Sequence, residues 1–259
     1  MRPAARPGLT ARASLLWAPL AIPQGLWLKR RIPRLPEAPG ARQGQASVAH
    51  PSHPAPLKLA ALGESPLAGV GLANQAEHLL PALAARLAER YQRDVDWQIS
   101  ARNGATTELA HQRLLPALEG ESLDLVLLGL GVNNSLRLDN ARRWQQGLSQ
   151  LVESLRNRFR QPAIILLGVP DMSRFPALPA PLSWLLGSRS RWLDQAAGEL
   201  ASQDPEVWHA PIPLDARFES LFASDGFHPS AEGHAAWAEA LLPVAELALS
   251  GQAAPHSDP

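Results

Sequence analysis

Five residues in four separated stretches of this chain carry the chemistry of a nucleophilic site: Ser65, Gly104, Asn133, Asp225 and His228. Ser65 follows the apolar run 57–62 and the pair Gly63-Glu64. A serine at the end of a buried strand, before a helix, presents its hydroxyl at the mouth of a sheet. Its backbone N–H then lies near a helix N-terminus, where developing negative charge is favoured. Serine is equally suited to capping such a helix. Gly104, in the stretch RNGATT, can bring a bare N–H close to a bound ligand or serve as an ordinary turn glycine. Asn133, in GLGVNN, offers a side-chain amide donor, although Gly and Asn are also common turn residues. In SDGFHPS, Asp225 and His228 are three apart. Asp225 can hold one imidazole nitrogen and leave the other free to take a proton from Ser65. The plain alternative is a solvated loop in which Ser230 caps the next helix. Together these residues supply a nucleophile, a base, an orienter and the oxyanion donors Ser65, Gly104 and Asn133, the full set that acyl transfer needs.

The elements that would position them alternate along the chain. Short apolar runs at 57–62, 95–100, 123–130, 163–167 and 207–210 read as strands. The runs LDLVLLGL and AIILL are apolar without alternation, as strands buried on both faces are. Helical spacing appears at 74–91, 106–118, 140–159, 190–202 and 230–249, clearest where Trp144, Leu148, Leu151, Leu155 and Phe159 share one face. Pro81 is expected to kink the first of these helices or delay its start. Five such repeats predict a parallel sheet with helices on both faces. Ligands of such sheets bind at the carboxyl ends of the strands, which is where Ser65, Gly104 and Asn133 fall.

At this point the chain resembles the SGNH/GDSL hydrolase superfamily, whose four blocks contribute Ser65, Gly104, Asn133 and His228, and whose Asp-x-x-His-Pro corresponds to Asp225 through Pro229. The resemblance runs from Leu57 to about Leu249, and LPEAPG (35–40) and RFPALPAPLSWLLG (174–187) are similar to a bacterial subgroup. It implies a flavodoxin-like three-layer α/β/α fold with about five parallel strands. It also implies a serine esterase or lipase working through Ser65, His228 and Asp225 without metal or organic cofactor, on a small-molecule or lipid-like ester. An acyltransferase with the same triad, or a catalytically impaired binding protein, are the alternatives. The family's usual Gly-Asp-Ser reads Gly63-Glu64-Ser65 here, and its Gly-x-Asn-Asp reads Gly131-Val132-Asn133-Asn134. Glu64 and Asn134 are expected to brace loops.

Phe175, Leu178 and Trp184 belong to an apolar, proline-stiffened segment after the fourth strand; it is expected either to line an acyl pocket or to pack over the sheet edge. With 24 Lys+Arg and 24 Asp+Glu the chain has no electrostatic footprint for nucleic acid. The absence of cysteine excludes disulfides and thiolate chemistry. Gly69-Val70-Gly71 is not followed by the third glycine of a dinucleotide motif, because Asn74 stands there, and the histidines form no ligand cluster in sequence. Residues 1–56 hold ten prolines and read as an extension ahead of a hydrolase domain at 57–250, with loose coil at 251–259. The apolar segment 14–28 follows Arg2, Arg6 and Arg12 as a signal peptide would. Pro19, Pro23, the flanking Lys29-Arg30-Arg31 and the lack of a small-x-small cleavage site argue against export and for a cytoplasmic chain, in which the segment is expected either to pack on the domain or to lie at a membrane surface. The sequence carries no signal for an oligomeric state.

Overall fold

The computed structural model describes residues 14–28, 30–212 and 218–251. Six strands form one sheet: β1 (Gln43–Ala46), β2 (Leu57–Gly63), β3 (Val95–Ala101), β4 (Leu125–Gly129), β5 (Ala163–Leu167) and β6 (Val207–Ala210). Their order is β1-β3-β2-β4-β5-β6. β2 to β6 are parallel, and β1 runs antiparallel to β3. Every residue of β4 is buried, as its unbroken apolar sequence requires.

The helices are α1 (Ala18–Leu28), α2 (Leu79–Tyr91), α3 (Val132–Leu136), α4 (Ala141–Phe159), α5 (Leu182–Ser202) and α6 (Ala231–Leu249). Between α2 and α3, a π-turn at Ala110–Leu114 joins two single helical turns. On one face of the sheet Leu80, Leu83 and Leu87 of α2 pack with Trp237, Leu241 and Ala245 of α6. On the other, Trp144, Leu148, Leu151 and Leu155 of α4 pack with Leu193 and Ala197 of α5. The result is the three-layer α/β/α arrangement, with Asn140 and Ser230 capping α4 and α6 through their side chains.

The five expected parallel strands are present, and three details differ from expectation. The sheet gains a sixth, antiparallel strand, β1, which lies inside the segment read as an extension. β1 has the polar sequence QGQA, which shows no burial period because it lies at an edge and faces water. Gly44 lets it approach the Trp97 ring of β3. The chain after Ser65 is not a helix. It forms turns in which Gly69 (φ +73°) and Gly71 (φ +98°) occupy the left-handed region, which stops helix propagation. Helical structure begins only at Gln75, and Pro81 is accommodated in the first turn of α2, where a backbone donor is dispensable. Finally, α5 starts at Leu182, so half of the apolar segment after β5 is helix. Its prolines (Pro176, Pro179, Pro181) all lie upstream, and beyond Pro181 nothing interrupts the helical bond pattern. Of the tail, only Gly251 is among the described residues. No helix among the described residues is long and apolar enough to cross a membrane.

Candidate active site

β2 and β4 are neighbours that end in glycine, Gly63 beside Gly129. A Cβ on Gly63 would overlap the Gly129 carbonyl oxygen, so only glycine allows this approach. Glu64 N donates to that same carbonyl at 3.0 Å, which folds the chain over the strand end and delivers Ser65 above the sheet. Ser65 O accepts from Ala68 N and Val70 N, both at 3.1 Å, so the serine is held by a tight turn and caps no helix.

Asp225 and His228 lie in a turn closed by a bridge between Phe222 and Pro229 and by Gly226 in the left-handed region (φ +62°). Asp225 Oδ1 accepts from Phe227 N (2.9 Å) and His228 N (3.0 Å), and Oδ2 meets His228 Nδ1 at 2.6 Å. Burial alone would raise the Asp225 carboxyl. The bonds from the His228 ring, His228 N and Phe227 N hold it below the ordinary carboxylate range instead. An ionised Asp225 favours the proton on Nδ1 and leaves Nε2 without it; His228 and Ser65 line one cleft. Among the described residues, Ser65 Oγ is not hydrogen-bonded to the ring; such bonds often tighten only with substrate in place.

Asn133 is held by Glu64, which the sequence reading expects only to brace a loop. The buried Glu64 carboxylate accepts from Val132 N (2.8 Å), Asn133 N (2.9 Å) and Asn133 Nδ2 (2.6 Å). It therefore caps the first turn of α3 and grips the amide that faces the site. One of the two Nδ2 hydrogens is spent on Glu64, and the other remains for a ligand. Burial pushes the Glu64 carboxyl up to about 7, although the N–H groups of Asn133, Val132 and Gly131 and the Asn133 amide pull the other way. Asn134 donates to Asp139 Oδ2 at 2.7 Å and accepts from Thr107, which ties α3 to its neighbours. Gly104, at φ +78°, faces open space, and a side chain there would strain the backbone.

Two further residues escaped the sequence reading. Glu37 accepts from Asn103 N at 2.7 Å and pairs with Arg42, whose guanidinium donates to Ala101 O. This pair braces the Gly104 loop from the segment read as an extension. Its only sequence trace is the stretch LPEAPG.

Two spaces meet at His228. A small cavity of about 90 Å³ lies beside Ser65, with Leu67, Val169, Phe175 and Phe222 among its apolar walls. A groove of about 720 Å³ reaches Gly104, Asn133 and His228 from the other side and takes Leu178 into its wall. Phe175 packs edge-to-face on Phe222 and Phe227. Trp184 lines neither space: it lies half exposed against Trp17, with ring centroids 5.4 Å apart. Among the described residues no group of three His, Asp or Glu side chains converges as metal ligands would.

Residues 61–236 match the model of the GDSL-like Lipase/Acylhydrolase family. The chain belongs to this family. It is similar to a GDSL-like esterase of Mycobacterium tuberculosis, 29% identical over 208 residues, which cover 76% of this chain and 64% of the relative. The chain thus spans less than two-thirds of that relative's length. Among solved structures, the lipase/acylhydrolase from Enterococcus faecalis is 20% identical with a TM-score of 0.58, over 74% of this chain and 95% of that one. A lipase from a goat rumen metagenome is 20% identical with a TM-score of 0.55, over 71% and 95%. At these identities the likeness is one of fold. In this GDSL-like chain, Glu64 stands where the family resemblance expects aspartate, and it engages the Asn133 amide.

Proposed function

We propose that this GDSL-like chain is a carboxylic ester hydrolase acting through an acyl-enzyme on Ser65. The observation that carries the reading is the 2.6 Å pair between His228 Nδ1 and Asp225 Oδ2 on the wall of the cleft that Ser65 also lines. Ser65 Oγ attacks the ester carbonyl carbon while His228 Nε2 takes the hydroxyl proton. The carbonyl oxygen becomes an oxyanion among Ser65 N–H, Gly104 N–H and the free Nδ2 hydrogen of Asn133. Asp225 stays ionised and stabilises the imidazolium. The carbon–alkoxy bond then breaks, and His228 returns its proton to the departing alcohol. Water, deprotonated by the same ring, attacks the acyl-enzyme and releases the acid and free Ser65. No step calls for a metal or an organic cofactor.

A fluorophosphonate probe is expected to label the wild-type chain and not Ser65→Ala. Short p-nitrophenyl esters are expected to turn over, with the activity lost in His228→Ala. Labelling that persists in Ser65→Ala would remove Ser65 from the nucleophile's role. One observation favours a second reading, an idle binding protein on this fold: the grip of Glu64 on Asn133 Nδ2, which draws part of an oxyanion donor away from the cleft. His228-dependent turnover excludes it. Transfer to an alcohol acceptor in place of water would appear as new ester when alcohols are added.

A further inference from the structure

The helix α1, outside the region matched by the family model, has the sequence APLAIPQGLWL, apolar but for Gln24 and without charge. Gln24 ties it to the start of α5 from both ends of its amide: Nε2 donates to Ala180 O and Oε1 accepts from Leu182 N, each at 3.0 Å. Its residues Ala21, Ile22, Gly25 and Leu26 line the groove that ends at Gly104, Asn133 and His228, together with Leu178, Leu182 and Leu186. Only Ala21 of α1 is fully buried. Outward it shows Leu20 (63% exposed) and Trp27 (52%), and the preceding turn adds Leu16 (81%) and Trp17. Trp184 of α5 extends the same patch through its contact with Trp17. Singly exposed apolar residues are ordinary on a protein surface; a contiguous patch beside a site entrance is not.

Charge points to what covers it. Residues 1–36 carry seven cations (Arg2, Arg6, Arg12, Lys29, Arg30, Arg31 and Arg34) and no acid, in a chain whose net charge is zero. Arg30 and Arg31 are exposed directly after α1, and the Arg31 guanidinium lies 4.5 Å from the Trp27 ring centre. Apolar side chains with interfacial tryptophans beside a run of cations fit the boundary of an anionic bilayer. An eleven-residue helix is too short to span one.

We propose that α1 and its flanking tryptophans dock the protein on an anionic lipid surface, with the groove open to the acyl layer, so that the substrates are long-chain acyl esters drawn from that surface. The substrate part rests on the hydrolase reading above; the docking part does not.

The test uses the full chain and the double variant Leu16→Glu/Leu20→Glu, whose positions are exposed and outside both spaces. Flotation is measured with phosphatidylcholine vesicles, with and without phosphatidylglycerol, beside kcat/KM on a short soluble ester and on a long-chain ester carried in the vesicles. Wild type is expected to float with the anionic vesicles and the variant to lose at least ~10-fold in binding and in long-chain turnover, with short-ester kcat/KM within ~2-fold. Wild type that hydrolyses the short ester but stays free of anionic vesicles would overturn the docking surface. Equal binding by the variant would do the same. So would a wild-type dimer that the variant splits without any vesicle binding, since a second copy would then be the occupant. Anionic-vesicle binding with no ester turnover would sustain the docking surface and remove the hydrolase reading instead.

Discussion

Replacing Glu64 by glutamine isolates the carboxylate that holds the Asn133 amide. In the wild-type protein two buried oxygens accept three N–H donors at 2.6–2.9 Å. Glutamine keeps one oxygen and sets an NH2 group against the donors at the other. At least one N–H of Val132 or Asn133 then loses its acceptor, which costs about 1–3 kcal/mol. Against this stands a pH-dependent gain. The carboxyl rises from 4.5 to about 7 on folding, so between these values the folded state holds a proton that the unfolded chain has released. Its stabilising effect is complete below pH 4.5 and is lost as the pH rises through 7. At about 1.4 kcal/mol for each pH unit, the loss is about 3 kcal/mol. Glutamine does not titrate.

Urea unfolding of both proteins from pH 4.5 to 8 is therefore expected to show Glu64→Gln gaining about 3 kcal/mol on wild type as the pH rises. In the same series kcat on a short ester is expected to fall ~10-fold in Glu64→Gln and toward ~100-fold in Glu64→Ala, where nothing orients Asn133. A stability difference that stays flat across the range would refute the burial-driven titration of Glu64. A kcat for Glu64→Ala within ~2-fold of wild type would refute its role in positioning the amide.

Asp225→Asn keeps the shape of the turn but removes the charge that selects the Nδ1–H tautomer, so kcat/KM on a short ester is expected to drop ~10⁴-fold with a folded far-UV spectrum retained. His78 and His234 are buried against each other with ring centroids 5.0 Å apart. Burial holds His234 down to about 3, and burial with the neighbouring His234 holds His78 well below 6.5. Protons then favour the unfolded chain: the stability is full above pH 6.5 and falls below it, by about 3 kcal/mol at pH 4.5 for His234, with His78 acting in the same direction. His234→Gln is expected to flatten that acid limb in a urea-midpoint series. Leu178→Trp, in the groove wall, is expected to shorten the range of acyl lengths hydrolysed, whereas Trp184→Ala leaves the short-ester profile unchanged; a panel of acyl lengths reads both.

The sequence determined what is written locally. Nearly unbroken apolar runs marked β4 and β5 as strands buried on both faces, a short apolar run marked β2, and the helical stripe of α4 was legible to within a residue of its Asn140 cap. The Asp225–His228 pair was legible because a three-residue spacing brings the two side chains together within a single turn. The strand order, the antiparallel β1 and the start of α5 were settled by tertiary contact: periodicity reports that a residue is buried, not what it is buried against, and the polar edge strand QGQA has no period at all. The same limit explains the site. Ser65, read as a residue at a helix entrance, is held in a turn that only the left-handed glycines Gly69 and Gly71 allow. Glu64 and Asn133 are 69 residues apart in the chain and meet only because β2 and β4 pair with Gly63 opposite Gly129. Glu37 and the wall formed by α1 come from a proline-rich stretch without regular pattern, and they gain their positions from the surfaces they pack on. Sequence alone named the candidate groups, because their chemistry is intrinsic to each side chain; the fold decided which residues hold them, because burial and partnership exist only once distant segments are packed.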